Sequence, residues 1–100
     1  AKYADLGIPL LLEELLKCGA NRLALQAKIA GGAQMFSFTD RTTTLNIGQR
    51  NAEMAKLTLS KLNIRLLAED TGKNYGRTMI LDTSTGDVLI RTAGSPLKKL

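Results

Sequence analysis

Apolar and polar positions change period several times along this chain, and each change outlines an element. Ala4, Ile8, Leu11, Leu12 and Leu15 fall at helical spacing and make one apolar face. Glu13 and Lys17 form an i,i+4 pair on the other side, and Gly19 is a natural C-terminal cap. The spacing predicts a helix from about Tyr3 to Cys18, with Pro9 near its start or at a kink. The period then drops to two. Leu23, Leu25, Ala27 and Ile29 alternate with Ala24, Gln26, Lys28 and Ala30, as in a half-buried strand.

A polar, Thr-rich stretch from Ser37 to Leu45 reads as a loop. Asn46 with Gln49 resembles a capping box, opening a second helix over about Ile47 to Leu62. Its predicted apolar face is Ile47, Asn51, Met54, Ala55, Thr58 and Leu62, and Asn63 ends it. Ile64, Leu66 and Ala68 alternate with Arg65, Leu67 and Glu69 as a second strand. Arg77–Asp82 and Val88–Thr92 form a hairpin around Thr83-Ser84-Thr85-Gly86. Ala93 to Leu100 reads as a tail. The predicted class is α/β, a layered sandwich with a mixed sheet in the order α-β-α-β-β-β. It forms a single domain segment, incomplete at its N-terminus.

The first strand stops at Gly31-Gly32, and Ala33, Gln34, Met35 and Phe36 follow. Paired glycines suit a left-handed turn or the close approach of another backbone. Met35 and Phe36 either fold back into the core or help floor a site. The central strand–helix–strand unit predicts a right-handed crossover with parallel strands. In open α/β sheets, sites form beyond the carboxyl ends of such strands. Those ends are Gly31-Gly32 and Glu69-Asp70-Thr71-Gly72, on one edge of the sheet. That placement favours a site at the glycine pair.

Composition narrows the choice of chemistry. The net charge is +5, but Lys and Arg are dispersed and carry no interleaved aromatics, which argues against nucleic acid. One cysteine excludes an internal disulfide, and the lack of histidine removes the commonest general base and zinc ligand. No apolar run is long enough for a bilayer span, so a cytoplasmic protein without membrane insertion is the expectation. No cofactor motif is present: Gly31-Gly32 lacks dinucleotide spacing, and Gly72-Lys73 lacks the upstream glycine of a phosphate loop.

Several polar residues remain as candidates. Arg50 and Asn51, at the start of the second helix, can face an anion or simply solvent. Glu69 and Asp70 are strand neighbours pointing to opposite faces, so they do not form a dyad by themselves. Arg77 can pair with either. Cys18 lies at a helix C-terminus, where the dipole disfavours a thiolate, and reads as a packing residue.

Four segments together resemble the CheD family of chemoreceptor glutamine deamidases. They are Lys2-Tyr3-Ala4-Asp5, Ala27 to Phe36, Ile47-Gly48-Gln49-Arg50-Asn51, and Ala68 to Gly72 with Gly76-Arg77. The resemblance implies an α/β layered sandwich and hydrolysis of receptor glutamine side chains to glutamate and ammonia. It implies two protein partners, the chemoreceptor and a CheC-type phosphatase. Family members use a cysteine nucleophile and a histidine base that precede the segment matching Lys2-Tyr3. The chain therefore matches the C-terminal two-thirds of such a domain, and is expected to be inactive alone or to act as a non-catalytic binding module. The Gly31–Phe36 turn becomes one wall of a glutamine cleft, with Arg50, Asn51, Glu69, Asp70 and Arg77 as further binding candidates.

Overall fold

The first helix, α1 (Ala4–Lys17), ends as its glycine predicts. In the computed structural model, which describes residues 4–33 and 47–100, Gly19 takes φ +94°. The Ala20 N–H then bonds the Leu15 carbonyl and the Gly19 N–H that of Leu16. These are the two bonds of a Schellman cap. The second helix, α2 (Ile47–Lys61), closes the same way on Asn63, at φ +59°. Ile64 N–H bonds the Leu59 carbonyl and Asn63 N–H that of Ser60. Lys17 holds both Glu13 and Glu14 at 3.5 Å on the exposed side of α1.

Five strands complete the described residues: β1 (Gln26–Gly31), β2 (Arg65–Thr71), β3 (Thr78–Leu81), β4 (Val88–Arg91) and β5 (Lys98–Lys99). β1 and β2 are parallel, from Gln26 opposite Arg65 to Gly31 opposite Thr71, with α2 as the crossover. The register slips once, between Ala27 and Lys28, and passes over Leu67. β3, β4 and β5 form a separate antiparallel sheet. The α/β reading holds, with the parallel and antiparallel parts in two sheets. The β3–β4 hairpin is tied by Asp82, whose Oδ1 accepts from the Ser84 N–H and hydroxyl, and Gly86 supplies φ +81°.

Three expectations need correction. The first strand does not begin at Leu23. Asn21 caps a 3₁₀ turn over Arg22–Ala24 by accepting from the Leu23 N–H, and Leu23 is 94% exposed. A local side-chain cap competes there with the strand pattern. Leu23→Ser should accordingly change stability by no more than about 0.5 kcal/mol, read from the urea midpoint. A loss several times larger would return Leu23 to the core.

The predicted face of α2 is also rotated by about one residue. Ile47 and Met54 are exposed, while Gly48, Thr58 and Leu59 are buried and Ala52 and Ala55 half-buried. Small residues face the sheet, so apolar size is a poor guide to this helix. Finally, Ala93–Leu100 is not simply a tail. Lys98-Lys99 pairs with β4, and Leu100 N–H bonds the Val88 carbonyl. The Leu100 carbonyl accepts from Lys28 Nζ of β1 at 2.6 Å, so this last segment links the two sheets.

Among the described residues the buried apolar side chains are few: Leu12 and Leu59 in the helical layer, Val88 and Ile90 on β4. Between α1 and the start of the parallel pair lies an apolar cavity of about 90 Å³, lined by Ile8, Leu12, Leu25 and Leu59 among others. Leu6, Leu10 and Leu11 of α1 are more than half exposed.

Candidate functional site

Gly31 and Gly32 combine both uses of glycine that the sequence left open. Their φ angles are +118° and +70°, the left-handed region in which a side chain is strained. Gly32 also lies against the first turn of α2. A Cβ on Gly32 would sit 2.7 Å from the Gly48 carbonyl oxygen. A Cβ on Gly48 would sit 2.3 Å from the Gly32 carbonyl oxygen and 2.7 Å from that of Ala33. The strand end and the helix start thus meet backbone to backbone.

Beside this contact is a cavity of about 100 Å³. Ile29, Ala30, Gly31 and Gly32 of the β1 end line one side, Asn51, Ala52 and Ala55 of α2 another, and Thr71 of β2 the third. Gly72 N–H bonds the Gly31 carbonyl at 2.9 Å, which continues the parallel pairing past the strands and holds both loops on one edge. This is the carboxyl edge of the parallel pair.

The two faces of β2 carry different polar clusters. On the α2 side, Glu69 Oε1 accepts from Lys56 Nζ at 2.7 Å and from the Thr71 hydroxyl at 2.6 Å. The Lys56 ammonium first, and the Thr71 hydroxyl second, lower the Glu69 pKa below the usual carboxylate range. On the other side, Asp70 is buried between Arg77 and Lys98, each 2.6 Å from one of its carboxylate oxygens. The Lys98 hydrogen bond is the largest cause of a lowered Asp70 pKa, with the Arg77 charge adding to it and burial opposing it.

Arg77 acts as a staple. Its guanidinium donates to the Asp70 carbonyl as well as its carboxylate, and to the carbonyls of Gly72 and Tyr75. It also stacks 4.7 Å from the centre of the Tyr75 ring. Its side chain is 2% exposed, and its Nε has no hydrogen-bond partner among the described residues. The loop from Gly72 to Arg77 is thereby tied to β2.

The structure brings Gly31, Gly32 and Asn51 together at one cavity and puts Ala33 against Gly48. Glu69 reaches that cavity's wall through Thr71. Asp70 and Arg77 pair with each other and point away from it, because adjacent strand residues face opposite sides. Arg50 is exposed in the first turn of α2 and lines no part of the cavity. Gln34, Met35, Phe36 and Asn46 lie outside the described residues. Cys18 is exposed, which corrects its reading as a packing residue. It precedes the start of β1, whereas the cavity is at the other end, about 17 Å of strand away.

Sequence reasoning missed Lys56 and Lys98, and named Thr71 only as part of a strand end and Gly48 only within a motif. Gly48 carried a further signal: glycine inside a helix is unfavourable by about 1 kcal/mol relative to alanine, and such a position asks for a packing reason.

These features define an α/β domain, with a small cavity of mixed polarity at the carboxyl edge of a parallel β–α–β unit. The chain matches the family model of CheD, described as chemotactic sensory transduction, over residues 1–92. It belongs to the CheD family. It is 63% identical over 99 residues to a probable chemoreceptor glutamine deamidase CheD of Moorella thermoacetica, covering 98% of this chain and 59% of that protein. It is 57% identical over 98 residues to the protein of the same name in Desulforamulus reducens, again covering 98% and 59%. For the Clostridium botulinum (strain Hall) protein of that name, identity is 52% over 99 residues, covering 99% and 61%. The chain thus spans about six-tenths of the length of these relatives. Among the described residues, no helix is long and apolar enough to cross a membrane.

Proposed function

We propose that this chain is the substrate-holding part of a chemoreceptor glutamine deamidase acting in the bacterial cytoplasm. The observation that carries this reading is the 52–63% identity, over nearly the whole chain, to proteins bearing that name. The small cavity at the strand ends supports it, since a glutamine side chain is narrow and ends in a carboxamide.

The chemistry needs a nucleophile and a base. A cysteine thiolate attacks the carboxamide carbon, and an imidazolium gives its proton to the departing ammonia. Water then cleaves the thioester, leaving glutamate and the free thiol. The chain has no histidine, and its one cysteine stands at the wrong end of β1. We therefore assign both groups to a part of the protein outside these residues. Chemoreceptors are the substrate, and a CheC-type phosphatase docks in place of substrate.

The test is ammonia release from a receptor peptide carrying the target glutamine. The protein at its full natural length should release ammonia, and these 100 residues alone should not. Cys18→Ala in the full-length protein should leave the rate unchanged. A full-length protein that binds the receptor and releases no ammonia would make it a docking module. A rate abolished by Cys18→Ala would return the nucleophile to this chain.

A further inference from the structure

Resting on the deamidase reading, we propose that Asn51 and Thr71 read the substrate's carboxamide and reject the carboxylate it becomes. The two residues come from different elements, α2 and β2, and line the same cavity at the carboxyl edge of the parallel pair. At about 100 Å³ it has room for a carboxamide and the carbon beside it.

Their hydrogen-bonding capacity decides the preference. Thr71 gives its hydroxyl proton to Glu69 Oε1 at 2.6 Å. What Thr71 Oγ1 keeps is lone pairs, so it can only accept. Asn51 offers one acceptor oxygen and one donor NH₂ group. The pair together presents two acceptors and a donor. A primary carboxamide presents two N–H donors and one acceptor oxygen, which is the complement. A carboxylate has no donor. One of its oxygens can accept from the Asn51 NH₂, but the other would face the lone pairs of Thr71, with the Glu69 carboxylate directly behind.

Lys56 completes the device. It holds Glu69 at 2.7 Å, which keeps Glu69 charged and able to accept the Thr71 proton. The Thr71 rotor is thereby fixed in the orientation that suits an amide. Apolar Ile29, Ala30, Ala52 and Ala55 line much of the remaining wall. A site built on such a hydrogen-bond pattern discriminates strongly against a ligand that leaves its polar groups unpaired. The consequence is one-way: glutamine is held, and glutamate is released once formed.

The test uses the full-length protein and two fluorescently tagged receptor peptides, alike except for Gln or Glu at the target position. Fluorescence polarisation reads both affinities directly on mixing, before turnover, and ammonia release is followed on the same samples. The wild type should favour the Gln peptide by about tenfold or more. Asn51→Leu and Thr71→Val should each bring the two affinities within about threefold, with Thr71→Ser restoring the preference. Thermal midpoints show whether the variants remain folded, and the exposed position of Asn51 makes Asn51→Leu the safer of the two. Equal preference in wild type and both variants overturns the proposal, as does a wild type with no preference. The two readings fail separately. A Gln preference without ammonia release removes the deamidase and keeps the amide site. Ammonia release with the preference unmoved in both variants removes the amide site alone.

Discussion

Replacing Gly48 with alanine should destabilise the protein by about 2 kcal/mol or more, although the same change in an open helix would stabilise it by about 1. The added Cβ would lie 2.3 Å from the Gly32 carbonyl oxygen and 2.6 Å from its carbon. Both are backbone atoms, so no flexible side chain can swing aside. The helix start and the glycine turn must separate, and the cavity between β1 and α2 opens with them. Gly32→Ala should act in the same direction, since it adds left-handed strain to a 2.7 Å contact with the Gly48 carbonyl. Gly72→Ala is the control. Its φ is +76°, but nothing lies within 4 Å of the added Cβ, so only the conformational cost of about 1–2 kcal/mol applies. Urea midpoints of the three variants give the comparison. If Gly48→Ala proves the mildest, the backbone contact is not what holds strand to helix.

Asp70→Asn should be the most damaging change of a polar side chain, at about 3 kcal/mol. Its Arg77 partner is 2% exposed and would keep its charge in a place with little water. The lower end of the range for broken buried pairs applies, because the Lys98 side chain on the other oxygen is 58% exposed and lets solvent approach. Lys98→Ala should cost less than about 1 kcal/mol for the same reason. The damage would spread along the fold, since Arg77 also holds the carbonyls of Gly72 and Tyr75.

The same pair sets an acid dependence. Lys98 first, then Arg77, keeps the Asp70 pKa below its ordinary value in the folded state. On acidification the unfolded chain therefore takes up a proton on this group before the folded chain does. The stabilisation is complete above the unfolded value of about 3.9 and is lost as pH falls through the lowered folded value. Glu69, held by Lys56 and Thr71, adds a slope of the same sign. Urea midpoints measured from neutral to acid pH should fall at the acid end in the wild type, and less steeply in Asp70→Asn. An equally steep fall in the variant would place the acid-sensitive group elsewhere.

Much of the architecture was legible because it depends on local chemistry. Gly19 and Asn63 end their helices by left-handed caps that only such residues adopt readily. The alternation from Ile64 to Asp70 matches their alternating burial residue by residue. That same alternation separates Glu69 from Asp70, and so divides one polar loop into two unrelated clusters. The errors fall where two local signals compete or where the partner is distant. Leu23 fits a strand period, but the Asn21 cap wins. The sheet-facing side of α2 includes buried Gly48 and half-buried Ala52, small residues that size-based periodicity passes over in favour of the exposed Ile47 and Met54.

By itself, then, the sequence determined the α/β class, the helix ends, the parallel unit and the edge on which its loops gather. Each of these follows from backbone preferences within a few residues. The family could also be identified from short motifs whose order along the chain is enough. Only the tertiary structure decided what the glycine pair is for. Gly32 of the turn and Gly48 of the helix, sixteen residues apart, touch through their backbones, and no periodicity encodes that distance. It likewise decided that Asp70 serves Arg77 and Lys98, that Thr71 rather than Arg77 borders the cavity, and that Cys18 stands apart from it. Those assignments depend on which face of β2 meets which neighbour, a matter of register and packing between elements far apart in sequence.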